Sequence, residues 1–300
     1  MTDLAASSTA VDLSRLPAPA IVELLDYETI FSAYIADLQE RLPIFDANVE
    51  SDPVVKLLQV AAYRELMLRQ QFNDRAQQLL VAYATGSNLD HLAALLSVER
   101  LVVDPGNPGD GIAPVMEDDG SLRRRIVLAP ESWSVAGPEL AYVFHARSAD
   151  GRVADASATS PLPGEVLITI LSTEGDGTPS PEVIAAVEAI VNGRPVRPLG
   201  DAVTVQAAEL VEFEVAAIVH TFSGPDHDLV LSAAEASLQA FLADSRRLGR
   251  DIPISSLHAA LTVPGVQKVV MVSPPADVVC GATQAARCTA VAIEHGGYGN

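Results

Sequence analysis

Apolar residues recur at steps of three and four between about residues 20 and 42, at Leu24, Tyr27, Phe31, Tyr34 and Leu38. That spacing predicts a helix with one apolar stripe, and its heptad-like regularity suits a seam between helices. Pro43 ends it. Asp52-Pro53 predicts a second start, with Asp as N-cap and Pro at the first helical position. No breaker follows before Thr85, and Gly86 reads as the stop, so the helix is expected to be about 50 Å long. Ser87-Asn88 then caps a short third helix through Leu96. A helix that long cannot bury its whole surface in so small a domain, so part of it is expected to meet another chain. Leu24, Tyr27, Phe31, Tyr34 and Leu38, with Tyr63 and Met67 on the second helix, are the candidate interface residues.

Asp104-Pro-Gly-Asn-Pro-Gly-Asp-Gly111 breaks the helical pattern and marks a boundary. Beyond it the periods alternate. Gly137-Pro138-Glu139 opens a helix carrying Leu140, Val143 and Phe144, and Asp150-Gly151 leads into an alternating strand from Val153 to Thr159. A turn at Ser160–Gly164 precedes an apolar strand from Val166 to Leu171. A helix from Pro181 to Asn192 stops at Gly193, residues 194–198 read as extended, and Val203 to Gln206 reads as a strand. The last third predicts a strand from Val211 to Thr221 and an amphipathic helix from Leu229 to Leu242. A short helix to Leu261, a turn at Pro264-Gly265 and strands over 266–272 and 289–294 follow. The reading is α+β, an N-terminal long-helix domain followed by two small α/β sandwich domains. Its expected parts are a flexible arm (1–19), a helical domain (20–103), a middle α+β domain (104–206) and a C-terminal α+β domain (207–300).

Composition sharpens this picture. The 300 residues are 49% hydrophobic and only 5% aromatic, with a net charge of −20. So apolar a chain folds rather than staying disordered, and its few aromatics suit packed helices and short strands more than an aromatic ligand pocket. The acidity is spread along the chain, and such a field repels nucleic acid. No apolar run reaches the ~18 residues of a membrane span. The first residues have neither the basic nor the apolar region of a secretory leader, so assembly in the bacterial cytoplasm is expected.

Residues able to do chemistry are scattered. His220 and His227 with Asp226 and Asp228 form one His/carboxylate cluster, but Ser223–Asp228 reads better as a loop capping the next helix than as a metal site. Cys280 and Cys288 with His295 lack zinc-finger spacing, and the two thiols are expected to be unpaired. Glu174-Gly-Asp-Gly177 lacks the ligand pattern of a calcium loop. Glu212 and Glu214 flank Phe213 on a strand and are expected to face solvent. No phosphate loop, nucleophile elbow or His-Glu-x-x-His motif is present. No metal or cofactor is expected, and the chain reads as a non-enzyme. Arg123-Arg124-Arg125 is the densest basic run, and pairing with carboxylates of this chain or of a neighbouring subunit is the favoured reading. Arg246, Arg247 and Arg250 lie where they complement a helix C-terminus. Trp133, the sole Trp, is read as a core anchor, with an interface hot spot as the alternative.

Two stretches identify the chain further. Tyr142-Val-Phe-His-Ala-Arg147 is followed by Ser148-Ala-Asp-Gly151 and Thr169-Ile-Leu-Ser-Thr-Glu-Gly-Asp-Gly177. The second is Arg197-Pro-Leu-Gly-Asp-Ala-Val-Thr-Val-Gln206. With Val49-Glu-Ser-Asp-Pro53, Leu80-Val-Ala-Tyr-Ala-Thr-Gly86 and Pro264-Gly-Val-Gln-Lys-Val269, they resemble the baseplate J-like family of contractile phage tails and related injection machines. The likeness runs in order over roughly residues 20–273. It implies a structural component of the virion tail baseplate, in a wedge around the hub that passes on the trigger for sheath contraction. The partners it implies are a second copy of the chain, a fibre-linked tail protein I-like partner, a small lysozyme-like-fold wedge protein leading to the sheath, and the hub. It places ring contacts in the C-terminal domain. A tailocin or another contractile injector fits the likeness equally. The competing classes are a tail-associated hydrolase and a free-standing adaptor or chaperone.

Overall fold

The computed structural model describes residues 17, 26–46, 49, 51–134, 137–224 and 226–299. Leu24, and all of the expected arm except Pro17, lie outside the described residues. The chain divides into two compact units, one over residues 12–99 and one over residues 100–300.

The first unit is helical. Helix α1 (Tyr27–Arg41) is capped by the Asp26 carboxylate, which accepts from the Thr29 amide. Helix α2 (Pro53–Gln77) starts under the Asp52 cap with proline in its first turn. It ends well before Thr85, and this corrects the expected length to about 37 Å. Residues 78–84 turn instead, because the Gln78 side chain holds them. Its Oε1 accepts from the Thr85 backbone amide, the Thr85 hydroxyl and the Asn88 side-chain Nδ2, and its Nε2 donates to the Tyr83 carbonyl. Gly86, at φ +53°, opens helix α3 (Gly86–Ala94) rather than closing α2.

In the second unit the Gly/Pro-rich stretch is framed by a short antiparallel pair, β1 (Val102–Asp104) and β2 (Val115–Met116). Helix α4 (Asp119–Leu128) follows, unforeseen in the sequence. Its polar run buries only Leu122, Arg125 and Ile126, too narrow a face to register as a stripe. Helix α5 (Glu139–Ala149) precedes strands β3 (Val153–Thr159) and β4 (Glu165–Ser172), which pair antiparallel. Helix α6 (Pro181–Val191) crosses over to β5 (Ala202–Ala207), parallel to β4 from Glu165↔Ala202 to Ile170↔Ala207. Residues 194–198, expected to be extended, form a turn in which the Val196 and Arg197 amides both donate to the Gly193 carbonyl. Helices α5 and α6 cover this three-stranded sheet through Tyr142, Ala146, Ile168, Ile170, Val183 and Val187.

The second sheet has the order β7-β6-β8. Its central strand is β6 (Glu209–Phe222), with β7 (Val266–Ser273) antiparallel and β8 (Gln284–Gly299) parallel to it. The final strand is thus much longer than its expected span of 289–294. Helices α7 (His227–Ser245) and α8 (Ile254–Leu261) pack on it through Val215, Ala217, Leu238, Leu257 and Leu261. The two sheets share a small apolar contact of Leu171, Ala208 and Ala285. They are also pinned by two hydrogen bonds, Ser157 hydroxyl to the Ala282 carbonyl at 2.6 Å and Leu248 amide to Asp155 at 3.0 Å. The architecture is α+β.

Candidate functional site

Helices α1 and α2 lie against each other. Ile30 is buried, while Tyr27, Phe31, Tyr34 and Leu38 are half-buried, and Tyr27 and Phe31 stack with ring centroids 5.9 Å apart. Tyr34 donates to Glu65 at 2.8 Å, and Arg69 grips the same carboxylate at 2.7 Å and 2.9 Å. The Tyr34 hydrogen bond and then Arg69 hold the Glu65 carboxyl below its usual range, and that carboxylate raises the Tyr34 hydroxyl. Much of the α1 stripe is therefore engaged within its own unit.

The barer surface is on α2. Val55, Ala62 and Asn73 are its buried positions. At about 3.6 residues per turn, Leu57, Val60, Met67, Leu68 and Phe72 fall on the opposite side. Leu57 is 69% exposed, Leu68 66%, and Val60, Tyr63 and Phe72 each more than half. Met67, singled out in the sequence, lies on this side, and Tyr63, next to the buried Ala62, lies on its flank, whereas Leu57, Val60, Leu68 and Phe72 were not singled out. Large apolar side chains left in water on one side of a helix are the usual sign of a contact surface.

The arginine run divides among local partners. Arg125 pairs with Glu117 at 2.6 Å, both side chains 5% exposed, and also donates to Ser148. Arg124 donates to Ser121. Arg123 is half-buried on the same helix and has contacts of its own. Trp133 is 67% exposed at the end of a short 3-10 turn over Ala129–Trp133, so the core-anchor reading is overturned. The turn that would have carried its ring inward buries Ala129 instead.

The His/carboxylate cluster does not assemble as spelled. Asp226 caps α7 by accepting from the Asp228 amide, as the loop reading required. His227 stacks on His295 at 4.5 Å, with Tyr298 edge-on to both, and His295 meets the Thr221 hydroxyl at 3.0 Å. Among the described residues no three His, Cys, Asp or Glu side chains are placed to share a metal ion. Cys280 and Cys288 are unpaired, and burial pushes both thiols up. Among the described residues no helix is long and apolar enough to cross a membrane.

The two stretches quoted for their family likeness meet in space. Tyr142, buried on α5, donates to Asp201 at 2.9 Å. Gly137, at φ +73°, sits so close to the second stretch that a Cβ there would lie 2.7 Å from Pro198 and 3.0 Å from Asp201. They are two sides of one contact.

Three family models match in order along the chain: the Baseplate J-like N-terminal domain over residues 50–107, the central domain over 134–207 and the C-terminal domain over 213–294. The chain belongs to the Baseplate J-like family. It is similar to Baseplate protein J of Escherichia phage P2, with 43% identity over 299 residues, covering 96% of this chain and 98% of that protein.

Proposed function

We propose that the chain is a structural, non-catalytic wedge component of a contractile-tail baseplate, joined to its partners through α2 and α1 and closing a ring through its C-terminal segment. The exposed apolar face of α2 carries this reading. Family membership supports the baseplate setting, and the Baseplate J-like N-terminal match begins just before this helix. An apolar helix face of this kind is covered by other helices in a bundle. The occupants are a second copy of the chain and a fibre-linked tail protein I-like partner, with a small lysozyme-like-fold wedge protein resting on the bundle and leading to the sheath. Ring closure around the hub falls to residues 207–300, where β8 is an edge strand of 16 residues. Edge strands present backbone groups that a neighbouring chain can pair with. The reading puts the chain in the tail baseplate of a virion assembled in the bacterial cytoplasm, where it passes on the trigger for sheath contraction. A tailocin or related injector would use the same surfaces.

The test is Leu68→Glu. Leu68 is exposed, so the variant should fold with wild-type Tm and circular dichroism. A charge in a desolvated seam costs several kcal/mol, about a hundredfold or more in affinity. Co-expressed with the tail proteins, the variant should no longer retain the fibre-linked partner. Retention at the wild-type level would show that this face is not the seam.

A further inference from the structure

A second feature has no part in the baseplate reading. Between the two sheet segments of the second unit lies a cavity of about 340 Å³. Four arginines line it, Arg124 from α4, Arg147 from α5, and Arg246 and Arg247 from the end of α7. Asp118, Asp155 and Asp244 complete its charged wall. In a chain of net charge −20, four arginines against three aspartates give this lining a small positive excess.

Each aspartate has partners of its own. Asp118 caps α4 by accepting from the Gly120 and Ser121 amides. Asp155 accepts from the Leu248 amide. Asp244 pairs with Arg247 and with Arg250. Among the described residues neither Arg124 nor Arg246 forms an ion pair within 4 Å, and Asp118 meets Arg124 only at longer range. Arg124 donates to the Ser121 hydroxyl and Arg246 to the Gly175 carbonyl. Arg147 is 6% exposed, its nearest acid is Asp155 at 3.8 Å, and its Nε has no hydrogen-bond partner.

A buried charge left so poorly matched is costly. Burial depresses the Arg147 guanidinium, Arg124 and Arg247 press in the same direction, and Asp155 and Glu117 oppose them. Among the described residues one other buried side-chain atom lacks a partner, Ser245 Oγ. It lies in the adjoining cleft that shares Ala243 and Arg246 with this cavity. Arginines present planar forks of donors suited to oxyanions, whereas the Ser172 and Thr173 hydroxyls in the lining already donate to the Arg152 carbonyl.

We propose that this cavity binds a small tetrahedral oxyanion of the phosphate or sulfate class, held by Arg147, Arg124 and Arg246, which ties the middle segment to the end of α7. The anion satisfies the buried Arg147 and offsets the repulsion among the arginines.

The test uses the full chain, dialysed into chloride buffer and titrated with inorganic phosphate, and separately with sulfate, at constant ionic strength. The expected result is saturable one-site binding by calorimetry with Kd below about 1 mM, with Tm rising as the site fills. Arg147→Met alters the buried interior as well as the charge, so the deciding variant is Arg124→Gln with Arg246→Gln, at two half-buried positions. It should keep its Tm in chloride and bind phosphate at least about tenfold more weakly. No saturable binding of either anion to the wild-type chain, or a double variant that binds within tenfold of wild type, would overturn the proposal.

Discussion

Glu117 and Arg125 sit 2.6 Å apart, each 5% exposed, and their surroundings use every side of the pair. Glu117 also accepts from the Leu101 amide, and Arg100 donates to the Glu117 carbonyl at 2.6 Å and to Asp119 at 2.7 Å. The pair thus fastens α4 to the start of the second unit. Removing one partner of a buried ion pair leaves the other charge stranded, at a cost of about 3–5 kcal/mol. Glu117→Gln is therefore expected to lower unfolding stability by that order in urea titration. Glu117→Leu with Arg125→Met should recover much of the loss, because a neutral apolar pair strands nothing. The sequence could not show this. In the sequence Arg125 is one of three consecutive arginines for which pairing with carboxylates is expected, and only the fold assigns it Glu117 and sets Arg124 at the cavity. The Tyr142–Asp201 contact is likewise invisible in one dimension, although both stretches that supply it stood out for their family likeness.

Helices with local signals were easy to read from the sequence, and elements held by distant side chains were not. The starts of α2, α6 and α7 follow from Asp52, Ser180 and Asp226, caps whose oxygens reach amides two or three residues on. The end of α2 has no such mark. It depends on Gln78 reaching Thr85 and Asn88, seven and ten residues away, and nothing in the run from Gln78 to Ala84 breaks a helix. Gln78→Ala should therefore release the α2–α3 turn. The measurement is hydrogen exchange, with the Thr85 amide expected to exchange about tenfold or more faster, since losing its partner opens the turn locally. Unchanged exchange at Thr85 would mean that the turn is held by packing alone. Strand β8 was underestimated for a related reason. Its last residues carry Gly296, Gly297 and Gly299, which favour a turn in isolation, yet pairing with β6 extends to Gly299.

At the scale of the whole molecule, the two sheet segments are joined by Leu171, Ala208 and Ala285 and by the Ser157–Ala282 and Leu248–Asp155 hydrogen bonds, and the arginine cavity lies beside this joint. Deleting residues 207–300 would uncover that joint, so single surface substitutions are the cleaner way to separate bundle formation from ring closure. The same holds on the helical side. Phe31 is half-buried and stacks on Tyr27, so a charge there would disturb the unit itself, whereas the exposed Leu57 and Leu68 can be changed without touching its interior. The central claim is that this chain is built into the tail baseplate as a repeated structural part. The most direct measurement is a quantitative mass-spectrometric inventory of purified, intact tails. The account predicts that the chain is present in several copies per particle, in a multiple of six. Its absence from intact particles, or its presence at a single copy, would contradict the account.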